Sequence, residues 1–354
     1  MLQSTLVAAL FAAFVGCVPL SERADSSRFK FYNLKTPLSG PCDLVEGPDG
    51  ALWGESLLVN HIFRIDPSTG NVQEFPIPFT NPATGALTGL TPAQDRTELS
   101  CAIRKGDDGN LYASNGLRNQ LVKINPTTHE IKVFTPQPYN PVGDLQPFND
   151  LYSAKDGIYF TQTSGNVISF FDFKDQKFKN YNIPTPASFP LGVYVASDGR
   201  VVVTELLGNK MIFLNGSSGA ITEHPLPELA QMPAVVRAET GGDIYFSLFT
   251  GNGVGKISLA TGAIQLFHTD RPGLLGAEDT IDSDNNIWLS FFNENVLGKF
   301  DTKTQKFSFV DFPDSVTTAP IGIPPYVDVA VNYGPGNAIW FTDISHNRVG
   351  RYAL

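Results

Sequence analysis

Asp243-Ile-Tyr-Phe-Ser-Leu-Phe-Thr-Gly-Asn252, running on into Gly253-Val-Gly-Lys-Ile257, returns 43 residues later as Asn286-Ile-Trp-Leu-Ser-Phe-Phe-Asn-Glu-Asn295 and Val296-Leu-Gly-Lys-Phe300. An aromatic-led strand, an Asn-bearing turn and a second strand are thus written twice in one register. The same unit recurs along the chain, its aromatic-led strands opening at Trp53, Tyr112, Tyr159, Val202, Tyr245, Trp288 and Trp340, and the steps from Tyr159 through Val202 and Tyr245 to Trp288 are each 43 residues. Four short strands in a repeat of roughly 40 to 45 residues mark a propeller blade. The chain is therefore predicted to be all-β, a seven-bladed β-propeller, with no long amphipathic helix.

Turn chemistry supports the register. Three residues before the aromatic stand Gly50, Gly109, Gly199, Gly242, Asn285 and Asn337, all types that tolerate a positive φ; the third copy, Asp156-Gly157 before Tyr159, is one residue tighter. After each aromatic strand comes Asn60, Asn119, Gly165, Asn209, Asn252, Asn295 or Asn347. Phe29-Lys-Phe-Tyr-Asn-Leu-Lys-Thr-Pro37 nearly duplicates Phe178-Lys-Asn-Tyr-Asn-Ile-Pro-Thr-Pro186, the outer strand and exit of the third blade. The N-terminal segment is therefore expected to supply the outer strand of the last blade and so close the ring.

Residues 5–20 form an apolar stretch too short for a comfortable membrane span. It reads as a secretory signal peptide over 1–20, followed by a polar linker over 21–28 and one propeller domain over 29–354. A secretory or extracellular location follows, with no membrane attachment once the signal is removed. The net charge of −10 offers no basic patch for phosphates, which argues against a nucleic-acid partner; a monomer or homodimer is expected. Asn215-Gly216-Ser217 is a glycosylation sequon in a surface turn of blade four. Cys42 and Cys101 each lie eleven residues before the aromatic of their own blade, at the start of neighbouring inner strands. A disulfide between them is geometrically plausible in an oxidising compartment, and two small buried thiols are the alternative.

Asp49-Gly50-Ala-Leu-Trp53, Phe341-Thr-Asp343, Asn347-Arg-Val-Gly-Arg351 and Glu223-His-Pro-Leu-Pro227 resemble the blade motifs of the virginiamycin B lyase, or streptogramin lyase, family over essentially all of residues 29–354. The resemblance implies a seven-bladed propeller. It also implies a metal-assisted elimination that opens a streptogramin ring, with His at the start of inner strands and Glu near the mouth. The chain departs from that pattern: its inner-strand column reads Cys42, Cys101, Phe148, Leu191, Ala234 and Ala277, then Tyr326 or Val329, with no histidine. His61, His129, His224, His268 and His346 fall on third strands, hairpin turns or outer strands.

The mouth is expected to be apolar instead. Phe148, Leu191, Leu206, Leu248, Phe249, Phe291, Phe292 and Tyr326 gather at the start of inner strands and the end of second strands, the usual ligand face. Such a funnel without a nucleophile suits a cycloaddition, in which holding two apolar partners and excluding water does most of the work. In architecture, signal peptide and mouth character the chain looks like the fungal hetero-Diels–Alderases that join a sesquiterpene to a quinone-methide-type tropolone. On that reading Phe148, Leu191, Leu206, Phe249, Phe291, Phe292 and Tyr326 bind apolar substrates, Gln162, Asn115 or Asn149 hydrogen-bonds a substrate oxygen, and no cofactor is needed. Two other classes remain open. One is a lyase or lactonase with Mg or Ca at the axis, for which Asn149, Glu205, Asp279 and Asp328 could converge; the other is a propeller that binds without turnover.

Overall fold

Each repeat folds into one blade. The computed structural model describes residues 26–78, 101–115, 120–136, 149–313 and 329–354, and within them seven four-stranded antiparallel sheets stand in a ring. In blade four the strands are Pro190–Val195, Val201–Glu205, Lys210–Leu214 and Ile221–Pro225, running from the axis outward. Gly50, Gly109, Gly199, Gly242, Asn285 and Asn337, the turn residues ahead of the aromatic strands, all adopt positive φ. The third blade does without one because its inner and second strands are joined through a tighter two-residue turn, Lys155-Asp156, with Ala154 already paired to Gly157.

The ring closes as expected. Phe29–Asn33 pairs antiparallel with Arg348–Ala353, Phe29 opposite Tyr352 and Asn33 opposite Arg348, and completes the blade built on Ala338–Asp343. Aromatic packing reinforces the seam: Tyr32 stacks on Trp340 with centroids 5.3 Å apart, and Phe29 meets Phe312, Phe341 and Tyr352. Ser26–Arg28, the end of the expected linker, forms a single 3-10 turn from which Arg28 lies over the Tyr352 ring and donates Nε–H to the Ala353 carbonyl. Residues 1–25 lie outside the described residues.

Among the described residues the core is divided into seven apolar clusters, one between each pair of adjacent blades. The leading aromatics fill them: Trp53, Tyr112 and Trp340 are fully buried, each removing from water enough apolar surface to contribute about 2–3 kcal/mol. Cys42 and Cys101 form a disulfide across the first two inner strands, with Cα atoms 5.2 Å apart. No helix among the described residues is long and apolar enough to cross a membrane.

The loops at the mouth are held by a repeated asparagine. Oδ1 of Asn347 accepts the Ser39 and Gly40 amides at 2.7 and 3.2 Å while its Nδ2 donates to the Thr36 carbonyl. Asn209 does the same for the Gln231 and Met232 amides. In blade three the residue in this role is Asn166, not Gly165: Asn166 takes the positive φ and accepts the Ser188 amide. A side-chain amide can cap two backbone segments at once, which glycine cannot.

Candidate functional site: the axial funnel

Counting from the leading aromatic of each second strand, the residue two places on is a hydroxyl in six blades: Ser114, Thr161, Thr204, Ser247, Ser290 and Thr342. These hydroxyls stitch the inner strands together. Thr161 donates to the Leu191 carbonyl of the next blade, Ser247 to Ala277 and Ser290 to Val329, at 2.6–2.8 Å. Each also accepts an amide at the start of its own inner strand, as Ser247 does from Val235 and Ser290 from Glu278. The receiving residues are those that ring the axis. In the first blade Glu55 holds the place, and its carboxylate accepts the Ala102 amide beside the disulfide.

Side chains alternate along a strand, so residues two and four places after the aromatic share a face and the one between them points away. This parity sorts the expected site residues. Leu206, Phe249 and Phe292, at the fourth place, line a cavity of about 430 Å³ at the axis, with Leu191, Ala234, Ala277 and Val329 from the inner strands and Phe189 and Leu207 on the lip. Phe249 and Phe292 meet edge to face at 5.6 Å. Phe291, at the third place, does not reach the funnel. It is fully buried in the cluster between blades five and six, its ring lying so close to Gly298 that a Cβ there would approach it to 2.9 Å. Leu248 is likewise buried between blades.

The amides expected to touch substrate divide in the same way. Gln162 and Asn115 occupy the third place and are buried away from the funnel. Gln162 Nε2 donates to Ser169 Oγ at 2.6 Å, and Asn115 Nδ2 to Asn60 Oδ1 at 3.4 Å. Asn149, at the start of an inner strand, does border the cavity, and its Oδ1 accepts the Ser114 hydroxyl at 2.8 Å. Phe148 and Tyr326 lie outside the described residues.

Beneath the apolar wall lies a charge network that the motif reading did not single out. Arg104 Nη1 bonds Asp43 at 2.7 Å and its Nη2 reaches Glu278; Arg237 holds both oxygens of Asp150 and contacts Glu278 at 3.3 Å. The carboxylates also join neighbouring blades: Asp43 accepts the Ile103 amide, Asp150 the Val193 amide and Glu278 the Val331 amide. All five side chains are more than nine-tenths buried. Burial raises the Glu278 carboxyl, with Asp43 adding to the shift and the two guanidiniums opposing it, and holds Asp279 well above the usual carboxylate range. A signal was present in the sequence, since Arg104 and Arg237 stand in inner strands beside the apolar Ile103, Val236 and Ala238. A cation buried in a strand requires an anionic partner.

Glu205 is fully buried at the third place in blade four, with no hydrogen-bond partner for either oxygen. Burial pushes its carboxyl up to about 7, with the nearby Ser188 hydroxyl and Lys210 opposing the rise and Glu223 adding to it. Of the four residues considered for Mg or Ca, three are described and each has a separate place. Asp279 accepts the Arg237 amide, Asn149 faces the cavity, Glu205 sits behind the wall, and Asp328 lies outside the described residues. Among the described residues no three His, Cys, Asp or Glu side chains are grouped as a metal ion requires, and the axial carboxylates are committed to arginine. The imidazoles are peripheral or structural: His129 packs on Phe75 and Trp53, His224 on Phe213, and His346 Nδ1 lies 2.9 Å from both carboxylate oxygens of Asp343 in a turn.

The profile described as the virginiamycin B lyase family matches residues 90–353. A streptogramin B lyase structure aligns with a TM-score of 0.76 at 20% identity, over 91% of this chain and 96% of that one. The virginiamycin B lyase of Staphylococcus aureus, as the selenomethionine protein, gives 0.76 at 21% identity over 92% and 99%. A catalytically inactive variant of that enzyme with quinupristin gives 0.75 at 20% over the same shares. At these identities the structural likeness speaks for the fold alone. A search of curated protein sequences finds no match. With the family profile spanning well over half of its length, the chain belongs to the virginiamycin B lyase family.

Proposed function

We propose that the chain is a secretory-pathway enzyme of secondary metabolism that takes apolar small molecules into its funnel and joins them by a (hetero-)Diels–Alder cycloaddition, a terpene with a quinone-methide-type polyketide. The observation that carries this reading is the contrast between an apolar wall and bordering charges already bonded to one another. Such a site holds hydrocarbon surfaces and excludes water. Cycloaddition converts π bonds to two σ bonds with no proton or electron exchanged, so confinement and orientation suffice. On this reading Asn149, which borders the cavity, hydrogen-bonds a substrate oxygen. The disulfide is compatible with an oxidising compartment, where exposed Asn215 would carry a glycan.

Incubating the purified protein with a terpene diene or alkene and a quinone-methide precursor tests the reading. Adduct formation faster than in buffer, with one stereoisomer enriched, supports it; a rate and isomer ratio equal to buffer would overturn it. Family membership favours a second reading, elimination that opens a cyclic depsipeptide. Ring opening of a streptogramin B that ceases on dialysis against a chelator would replace the first reading with this one.

A further inference from the structure

Glu205 ends the second strand of blade four, and its carboxyl is sealed directly behind the part of the funnel lip made by Leu206 and Leu207. The turn it supports closes on one neighbouring segment: the Leu206 amide donates to the Phe189 carbonyl, and the Leu207 and Gly208 amides both donate to Ser188, each at 3.0 Å. Phe189 and Leu207 are themselves lip residues. The space is tight, since a Cβ on Gly208 would come within 2.9 Å of the Glu205 Cβ and 3.1 Å of Ser188. Two charged groups face the carboxyl. Lys210, on the third strand, is held at 2.8 Å by Glu223 of the outer strand and also bonds Thr185, so its charge is already engaged. Glu223 leaves a second carboxylate nearby.

We propose that Glu205 is a proton-dependent latch for the funnel lip: the protonated carboxyl keeps the Leu206–Gly208 turn docked on Ser188–Phe189, and ionisation releases it. A neutral carboxyl is tolerated in this enclosure, whereas a carboxylate there is poorly served: the nearby Ser188 hydroxyl is already given to Asn166, Lys210 is engaged by Glu223, and Glu223 adds a second negative charge. Ionisation therefore favours the state in which the turn lifts and water reaches the oxygens. The lip carries the wall residues Leu206 and Leu207, so opening it removes apolar contact from any bound molecule. Raising the pH through about 7 should weaken binding of apolar ligands, and ligand binding should in return hold the proton on Glu205. This inference rests on the reading of the funnel as an apolar binding site, but its mechanical part does not.

Two measurements on the whole protein and on Glu205→Gln separate them. Hydrogen exchange reads the latch directly: corrected for intrinsic rate, protection of the Leu206, Leu207 and Gly208 amides in the wild type should fall about tenfold between about pH 6 and about pH 9, and in Glu205→Gln stay constant. Protection that is constant in the wild type, or that falls equally in both proteins, would overturn the latch. Binding of the neutral fluorophore N-phenyl-1-naphthylamine reads the funnel: its Kd should rise about tenfold over the same range in the wild type alone, the size of a one-unit difference in Glu205 titration between free and liganded protein. Absence of binding at every pH overturns the funnel reading, while the exchange result still decides the latch.

Discussion

The wall and the floor of the funnel surround one axis and solve burial in opposite ways. The wall is built from Leu191, Leu206, Phe249 and Phe292, which need no partners and remain half-buried, available to a guest. The floor is built from Arg104, Arg237, Asp43, Asp150 and Glu278, which tolerate burial because their hydrogen bonds go to one another and to strand amides. The lesson is that charge at a propeller axis does not by itself mark chemistry. Here it ties blades one, two, three, five and six to one another and to their neighbours, and the surface left open for a ligand is hydrocarbon.

The sharpest way to break the comparison is to unbalance the floor. Asp150→Asn should leave Arg237 short of its bidentate partner in a buried place and cost about 3–5 kcal/mol, measured by urea denaturation. Removing the disulfide with Cys42→Ser and Cys101→Ser opens a crosslink spanning 59 residues, and a loss of about 4 kcal/mol is expected in thermal unfolding of the double variant against the oxidised wild type. The next test separates two adjacent rings. Phe291→Ala should cost about 3–4 kcal/mol and leave product stereochemistry unchanged; Phe249→Ala should cost under about 1.5 kcal/mol yet lower adduct yield and selectivity. The smallest effect concerns Glu205. Its folded value near 7 lies above the ordinary 4.5, so the penalty is absent below about pH 4.5, grows as pH rises and is complete above about 7. Glu205→Gln should therefore match the wild type at low pH and exceed it by about 1–2 kcal/mol at pH near 8.

The fold was legible because a propeller repeats its instructions. The aromatic column, the positive-φ turns and the copy of Phe178–Pro186 at Phe29 all state the same architecture independently. The equal offsets of Cys42 and Cys101 placed the thiols side by side but left their bonding open; the structure joins them. The site was only partly legible. Leu191, Leu206, Phe249 and Phe292 could be placed at the mouth from the repeat register, whereas Gln162, Asn115 and Phe291 required strict alternation to be applied from the aromatic outward. Phe291 and Phe292 cannot both face the axis when successive side chains oppose. The floor was missed for a different reason: Arg104, Asp43 and Glu278 come from blades two, one and six, and no local pattern links residues that meet only after the ring has formed.

That last point bears on how the molecule comes into being. The seam pairs Phe29 with Tyr352, so a ribosome must release everything between those two residues before the closing strand finds its mate. Until then the growing chain is an open fan with one unpaired edge. Sealing it is a single late event of very high sequence separation, slow for entropic reasons and exposed to mispairing between molecules.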